Sequence, residues 1–288
     1  MNKKILVITG PTASGKTKLS IQLAKKINAS IICADSRIVY KDFDIVSAKP
    51  TIEEREGIEH YLIDVVSPLE DFSAGDFVKA ASEIIENLER EGKNIIISGG
   101  TWFYIKSLLG EFSLLKSSKN EKLRKELENF SNAELWEKLN KLDPIRAKKI
   151  HPNNKDKVIR SIEIIEDLKT PVTNAKREEN KKYDALWFCP KFEREELYSR
   201  INKRVDEMMD LGLFEEWERN SIKYPNSQVL KNTIGYSEFF EFQDRALAIE
   251  KIKQYTRNFA KRQMTYFRSN KDIKFVSCVE DVLREIDE

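Results

Sequence analysis

The chain has 288 residues, of which 40% are hydrophobic and 34% are charged, and its formal net charge is +2. This length and apolar content suffice for one large or two modest domains with a packed core. The small net charge excludes bulk attraction to nucleic acid, so any nucleic-acid surface must be a local patch of basic residues. The three cysteines and two histidines show neither a metal-ligand spacing nor a disulfide framework.

The first apolar run is too short for a secretory signal, because it ends after four residues at Ile8. No stretch approaches the roughly 20 apolar residues that a membrane helix needs. We therefore expect a soluble, cytoplasmic protein without a membrane partner. The sequence gives no reason to expect an oligomer, so we expect a monomer.

The N-terminal part of the chain alternates apolar runs with helical patterns. The apolar runs predict strands at residues 4–9, 30–34, 61–66 and 95–98. Before the last run, Ser73 begins a pattern typical of a capping box, and the apolar stripe that follows ends at Gly92. Continuous apolar strands separated by helices indicate a parallel sheet covered on both faces.

The first predicted strand leads directly into the pattern Gly-x-x-x-x-Gly-Lys-Thr. The glycines let successive backbone N–H groups point inward as an anion site, next to the positive end of a helix. The lysine would reach the terminal phosphate oxygens, and the hydroxyl of Thr17 would bind Mg²⁺. The predicted ligand is a di- or triphosphate with magnesium, bound by Gly10, Pro11, Thr12, Ala13, Ser14, Gly15, Lys16 and Thr17. Phosphoryl transfer, hydrolysis and the departure of pyrophosphate all need this same site, so the pattern leaves all three open.

Two further polar groups follow predicted strands. Asp35 comes after the second strand, and Gly99-Gly100-Thr101 comes after the fourth. The carboxyl ends of parallel strands meet at one edge of a sheet, where ligands bind. An acid near a phosphate site fits the removal of a proton from a nucleophile that attacks the phosphorylated substrate. Position alone also allows Asp35 to be a solvated capping residue and the glycines to form a tight strand-to-helix turn.

The middle of the chain, residues 111–183, is charged and helical in period and is punctuated by three prolines. Helices are predicted there at residues 121–142 and 155–169. We therefore expect a mainly helical insertion domain over these residues.

The C-terminal part returns to the first pattern. Residues 184–190 predict one more buried strand, and helices are predicted at residues 193–218 and 246–268. The predicted fold is an α/β core, formed by residues 1–110 and 184–288, with the helical insertion between them.

The helix predicted at residues 246–268 carries basic residues on one face. Lys253, Arg257, Lys261 and Arg268 fall at helical spacings, and acidic residues at four-residue spacing are missing from residues 251–268. This face is either a solvated cationic surface or a binding site for a nucleic-acid backbone.

Together these blocks resemble the tRNA dimethylallyltransferases, also called tRNA isopentenyltransferases, of the bacterial type. Besides the phosphate loop, the resemblance includes the run from Asp35 to Tyr40. The remaining blocks are Asp44-Ile45, Ala48-Lys49-Pro50, His60-Tyr61-Leu62-Ile63-Asp64, Phe72-Ser73-Ala74-Gly75-Asp76-Phe77, Gly99-Gly100-Thr101, Val158-Ile159-Arg160, Ile234-Gly235-Tyr236 and Lys261-Arg262-Gln263.

The resemblance implies a P-loop-like parallel sheet and an alkyl transfer. A dimethylallyl group would move from dimethylallyl diphosphate to the exocyclic amine of the adenine just 3′ of a tRNA anticodon, releasing pyrophosphate with help from Mg²⁺. Asp35 would take the amine proton, Thr101 would position the reacting groups, and Arg200, with Arg204 nearby, would bind the diphosphate. The implied tRNA contacts are Asp35, Ser36, Arg37, Ile38, Thr101, Arg124, Arg160, Gly235, Tyr236, Arg257, Lys261, Arg262 and Arg268.

Two other classes of function stay open at this point. A small-molecule or nucleotide kinase of the P-loop class would use the run from Tyr61 to Asp64 as its metal-binding strand, but it leaves Asp35 and the basic helix without a role. A non-catalytic RNA-binding module would have no need of Lys16 and Thr17 together with Asp35.

Overall fold

The computed structural model describes residues 4–112, 115, 117, 120–175 and 182–287. The chain forms two compact units. The core unit comprises Met1–Phe112 and Lys181–Glu288, and the insertion unit is Ser113–Asn180. The sequence predicted these boundaries after residue 110 and before residue 184.

The core unit is built on a parallel sheet. Its strands are β1 (Ile5–Thr9), β2 (Ala29–Cys33), β3 (His60–Tyr61), β4 (Asn94–Gly99), β5 (Ala185–Pro190) and β6 (Ile273–Val276). Their order is β3-β2-β4-β1-β5-β6, and each neighbouring pair is parallel. β1 lies between β4 and β5, with Val7 paired to Ile97 and Trp187. The predicted parallel α/β sheet is therefore confirmed.

The helices flank this sheet or build the insertion unit. In chain order they are α1 (Lys16–Ile27), α2 (Ala74–Arg90), α3 (Trp102–Leu108), α4 (Glu121–Glu128), α5 (Asn132–Leu142), α6 (Pro144–Ala147), α7 (Lys155–Leu168), α8 (Arg194–Asp210), α9 (Leu213–Lys223), α10 (Gln228–Lys231), α11 (Ser237–Glu241), α12 (Arg245–Ser269) and α13 (Val279–Asp287). No helix in the described ranges is long and apolar enough to cross a membrane.

Helix α2 shows how local sequence determines these elements. The Ser73 hydroxyl accepts the N–H of Asp76, and the Asp76 carboxylate accepts the N–H of Ser73, which is the predicted capping box. Phe77, Ala81 and Ile85 recur at four-residue spacing and are buried. The apolar stripe thus packs on the sheet as the sequence predicts.

The sequence prediction differs from the structure at the third strand. β3 ends at Tyr61, although the apolar run continues to Val66. Leu62 and Asp64 have φ angles of 63° and 58°, which turn the chain out of an extended conformation. Val66 forms an isolated parallel bridge to Tyr40, outside the strands of the sheet.

Two predicted long helices are each divided in the structure. Gly212, with φ of 94°, separates α8 from α9. A capping box between Ser131 and Glu134 starts α5 and separates it from α4. Strand β6 was not predicted, because its two central residues are exposed and its apolar run is short.

The insertion unit has its own apolar core. Leu127, Leu139, Val158 and Ile162 from α4, α5 and α7 are almost fully buried against one another. This cluster is separate from the core of the sheet, so the insertion unit packs as a small helical body of its own.

Candidate active site

A cavity of about 430 Å³ lies in the core unit at the carboxyl edge of the sheet. It brings together groups from the loops that follow β1, β2 and β4 and from helices α8 and α12. The residues predicted for the site that line this cavity are Thr12, Lys16, Thr17, Asp35, Ser36, Arg37, Ile38, Thr101, Gly235 and Arg262.

The phosphate loop connects β1 to α1. A Cβ on Gly10 would lie 2.7 Å from the Ser14 hydroxyl oxygen and 3.3 Å from the Cys189 sulfur, so a side chain is excluded there. Gly15, with φ of 89°, is the N-cap of α1. No side chain caps this helix, and its first turn has no acidic residue. The N–H groups of that turn are therefore available to an anion.

Lys16 is the cation of this loop. Its ammonium group donates a hydrogen bond to the Pro11 carbonyl at 3.2 Å. Burial lowers its pKa to about 8, Asp35 acts in the opposite direction, and Arg204 lowers it further. In the described part of the chain, no carboxylate lies within ion-pair distance of Lys16. A bound anion would supply the missing negative charge.

The two carboxylate oxygens of Asp35 have different hydrogen-bond partners. Oδ1 accepts the N–H groups of Arg37 at 2.8 Å and Ile38 at 3.4 Å, which caps the next turn. No described group donates to Oδ2, and Asp35 lines the cavity. The structure therefore shows the capping role at Oδ1 and leaves Oδ2 available in the cavity, and the role of a base stays a prediction.

Thr101 stands beside this carboxylate at the end of β4. Its hydroxyl oxygen accepts the N–H of Ser36 at 3.1 Å, and its own N–H donates to the Ala34 carbonyl at 3.2 Å. The hydroxyl keeps its proton, so Thr101 can donate a hydrogen bond into the cavity.

Gln263 on α12 braces the site, a role that the sequence did not predict. Its side-chain oxygen accepts the N–H of Thr12 at 3.1 Å, and its nitrogen donates to the Gly100 carbonyl at 3.0 Å. A Cβ on Gly99 would lie 2.1 Å from the Ala34 carbonyl oxygen. The phosphate loop and the turn before Thr101 are thus held at a set separation, with glycine required in the turn.

The structure favours Arg204 over Arg200 as the arginine of the cavity. Arg200 does not line the cavity, and its guanidinium pairs with Glu196 one turn earlier on α8. Arg204, one turn further along α8, lines the cavity. Burial lowers the pKa of Arg204, Asp35 raises it, and no described carboxylate pairs with it within 4 Å. Its position beside Lys16 is the one that suits an anion.

Tyr236 does not have the predicted position of an RNA contact. It is fully buried, and its hydroxyl donates to Glu216 at 2.6 Å and accepts from Asn220 at 3.0 Å. Its neighbour Gly235 lines the cavity instead, with φ of 101°.

The two arginines predicted as RNA contacts in the insertion unit are already paired. Arg124 binds both oxygens of Glu163 at 3.1 Å, and Glu163 is fully buried. Arg160 pairs with the same carboxylate at 3.4 Å and donates to the Ser117 carbonyl at 2.6 Å. Both guanidinium groups are therefore held by one structural carboxylate, which offsets only part of their combined charge.

The basic face of α12 is smaller than the sequence indicates. Lys253 pairs with Asp206 at 2.8 Å and Glu250 at 3.1 Å, neither of which lies in residues 251–268. Arg257 donates to the Asn202 side chain. Lys261 and Arg268 are exposed, and among the described residues neither has an ion-pair partner.

The site offers few protein ligands for a metal. No group of three or more His, Cys, Asp or Glu side chains could hold an ion in the parts of the chain that the structure covers. Thr17 and Asp35 supply a hydroxyl and a carboxylate to one cavity. This donor set fits Mg²⁺ shared with phosphate oxygens and water, since that ion is often bound through few protein groups.

The residue that a kinase would use for its metal lies elsewhere. Asp64 does not line the cavity, has φ of 58°, and pairs with Lys49. Lys49 also pairs with Asp44 at 2.6 Å. The chain therefore turns directly after β3, and Asp64 offers no metal ligand to the phosphate loop.

The model of the IPP transferase family matches residues 38–270. The chain is 40% identical to the tRNA dimethylallyltransferase of Anoxybacillus flavithermus, covering 99% of this chain and 94% of the relative. The crystal structure of the tRNA isopentenylpyrophosphate transferase from Bacillus halodurans is similar, with a TM-score of 0.73 at 34% identity, covering 99% of this chain and 95% of that one. A eukaryotic dimethylallyltransferase acting on tRNA aligns with a TM-score of 0.80 at 32% identity, over 92% of this chain and 70% of that one.

Proposed function

The chain belongs to the IPP transferase family, and on that premise we propose how its cavity carries out the reaction. It is an enzyme that transfers a dimethylallyl group to tRNA, the activity for which its relatives are named. The donor, the acceptor atom and the role of each residue are our proposal, and they rest on the geometry of the cavity.

The donor is dimethylallyl diphosphate, with its diphosphate in the phosphate loop. The uncapped first turn of α1, Lys16 and Arg204 together provide donors and positive charge without a carboxylate partner in the described residues. Cations already fixed in place stabilise the negative charge that grows on the leaving diphosphate as the carbon–oxygen bond breaks. The loop therefore serves a leaving group, and the phosphorus atoms are not attacked.

The acceptor is the exocyclic amine of the adenine that follows the anticodon. The nitrogen lone pair forms a bond to the allylic carbon, the electrons of the broken bond leave with the diphosphate, and the amine proton goes to Oδ2 of Asp35. The Thr101 hydroxyl donates a hydrogen bond to the reacting groups. Because an unpaired loop base is the easiest to extrude, the adenine enters the cavity at a cost of about a few kcal/mol.

The Thr17 hydroxyl, which lines the cavity, would hold magnesium. When bound, the ion would neutralise charge on the phosphate oxygens. Lys16 and Arg204 provide the same kind of stabilisation from the protein itself.

We further propose that the enzyme acts as a monomer, because a single chain supplies every group named for the reaction, and that it works in the cytoplasm.

A single observation supports this proposal most strongly. Lys16 and Arg204, which have no carboxylate partner among the described residues, share one cavity with Oδ2 of Asp35, to which no described group donates. The direct test incubates the protein and Mg²⁺ with dimethylallyl diphosphate, labelled in the alkyl group, and an anticodon stem-loop that contains the target adenine. Label is expected in the RNA, and a stem-loop with guanine at that position serves as the control.

The outcomes separate the proposal from a kinase. Incorporation of label that depends on the adenine supports alkyl transfer. If the RNA stays unlabelled and a parallel incubation with added ATP consumes that ATP, the loop binds a phosphoryl donor and the proposal is wrong.

A further inference from the structure

A buried carboxylate behind the cavity has no part in the mechanism described above. Glu216 on α9 is 1% exposed, and its two oxygens accept four hydrogen bonds. Oε2 accepts the N–H groups of Asp44 at 3.0 Å and Ile45 at 2.7 Å. Oε1 accepts the N–H of Val46 at 3.0 Å and the hydroxyl of Tyr236 at 2.6 Å. One side chain thus joins two distant segments of the sequence.

Each of these segments continues directly into the wall of the cavity. Residues 46–48 and 232–235 both line it, and we name these two segments the paired wall. They are in contact, because a Cβ on Gly235 would lie 2.8 Å from a Val46 methyl group. Gly235 also has φ of 101°, so its backbone conformation is one that other residues rarely adopt.

Further contacts secure the loop in front of Glu216. The side-chain nitrogen of Asn220, one turn further along α9, donates to the Asp42 carbonyl at 2.7 Å and to the Tyr236 hydroxyl at 3.0 Å. Asn220 is fully buried as well. The polar face of α9 therefore determines the conformation of this loop through defined hydrogen bonds and not through apolar packing alone.

A buried carboxylate is costly unless its hydrogen bonds are made. Here all four donors are present, and hydrogen bonds to an ionised acceptor are about twice as strong as neutral ones. Three consecutive backbone N–H groups converge on one carboxylate only in a particular loop conformation. Exchange of this carboxylate for an amide would leave some donors without a partner and would place an N–H group against another N–H group.

We propose that Glu216 is a positioning residue for the transfer reaction: it holds the paired wall at the separation that the acceptor base requires. This inference rests on the proposed function. Glu216 does not line the cavity, so it acts through the backbone of residues 44–46 and through Tyr236. The phosphate loop is held by its own contacts, including the brace from Gln263, and does not depend on Glu216.

The test is Glu216→Gln, which keeps the size of the side chain and removes its charge. We expect kcat/KM for the anticodon stem-loop to fall about 10- to 100-fold, because a displacement of reacting groups near 1 Å has that effect. The Kd of pyrophosphate, measured by isothermal titration calorimetry, should stay within about twofold, since the contacts that hold the phosphate loop do not include Glu216. General damage to the fold would change both quantities, whereas loss of the positioning role lowers kcat/KM for the RNA and leaves the Kd of pyrophosphate nearly unchanged.

Two variants complete the experiment. Glu218→Gln changes an exposed carboxylate on the same helix and should match the wild type. Tyr236→Phe removes one of the four donors to Glu216 and should reduce kcat/KM for the RNA by a smaller factor, about 3- to 10-fold. If circular dichroism shows that Glu216→Gln does not fold, Tyr236→Phe alone tests the positioning role.

The inference is wrong if Glu216→Gln and Tyr236→Phe both fold and have the same kcat/KM for the RNA as Glu218→Gln. It is also wrong if they weaken pyrophosphate binding by as large a factor as they lower kcat/KM for the RNA. Failure of the proposed function looks different, because the wild-type enzyme itself would then not label the stem-loop.

Discussion

The cations of the cavity and those of the insertion unit differ in their partners, although the sequence marked both as candidate ligand contacts. Lys16 and Arg204 line a cavity and have no carboxylate within ion-pair distance in the described residues. Arg124 and Arg160 converge on the buried carboxylate of Glu163. A cation that is desolvated and unpaired favours an anionic ligand, whereas a paired one contributes to the fold.

The difference teaches that basic residue type alone does not identify a binding site. Arg200 and Lys253 illustrate the same point in the core unit, since each is paired with a neighbouring carboxylate. The following predictions test whether the paired and unpaired groups separate in function as they do in the structure.

The largest effect is expected at Asp35. Asp35→Asn preserves the oxygen that caps the turn but removes the basic oxygen, so kcat should fall about 10²- to 10⁴-fold. Binding of the stem-loop, measured by fluorescence anisotropy, should change little. If kcat stays within about tenfold of the wild type, a difference of roughly 1.4 kcal/mol, Asp35 is not the base.

The next largest effect is expected at Arg204, and Arg200, one turn earlier on α8, is its control. Arg204→Ala should raise the Kd of pyrophosphate about 10- to 100-fold, because it removes a charge-assisted contact inside the cavity. Arg200→Ala removes only an exposed pair with Glu196 and should change the Kd less than about threefold. Calorimetric titration of both variants checks this, and equal losses would contradict the assignment of Arg204.

The sequence predicted the backbone-determined parts of the site better than the side-chain partners. The phosphate loop, Asp35 and Thr101 each follow a buried strand, and parallel strands bring their carboxyl ends to one edge. The sequence could not show that Arg204, and not its neighbour Arg200, lines the cavity, because that depends on how α8 packs.

Two polar residues on the apolar face of α9 are the sequence signal for the hydrogen-bond network around Glu216. Glu216 and Asn220 fall at helical spacing with the buried Leu213, so two polar side chains share the apolar face of α9. Polar groups on such a face need partners, which indicates a hydrogen-bond network. Their partners in residues 42–46 come from a loop far away in the sequence, and only the tertiary structure identifies them.

A pH-dependent effect is expected from Lys16. Burial lowers its pKa from the usual value of 10.5 to about 8, so the lysine of the free enzyme is charged below pH 8 and loses its charge as the pH rises through 8. A bound diphosphate stabilises the charged form, so affinity should fall about tenfold between pH 7 and pH 9. Lys16→Arg stays charged throughout this range and serves as the control in parallel titrations. A similar fall in both proteins would show that Lys16 is not the titrating group.

The smallest effect concerns RNA contacts far from the chemistry. Lys261 is exposed and has no ion-pair partner among the residues described, so Lys261→Ala should weaken tRNA binding about 3- to 10-fold and reduce the slope of log K against log salt by about 1. Arg124→Ala should instead leave the slope unchanged and lower the free energy of unfolding by about 1–3 kcal/mol, because the buried Glu163 carboxylate loses its two hydrogen bonds from Arg124 and keeps the longer one from Arg160. Salt-dependent binding and urea denaturation of both variants distinguish the two roles. A reduced slope for Arg124→Ala would show that its pairing with Glu163 does not prevent contact with RNA, and the separation of paired from unpaired cations would then not hold in the insertion unit.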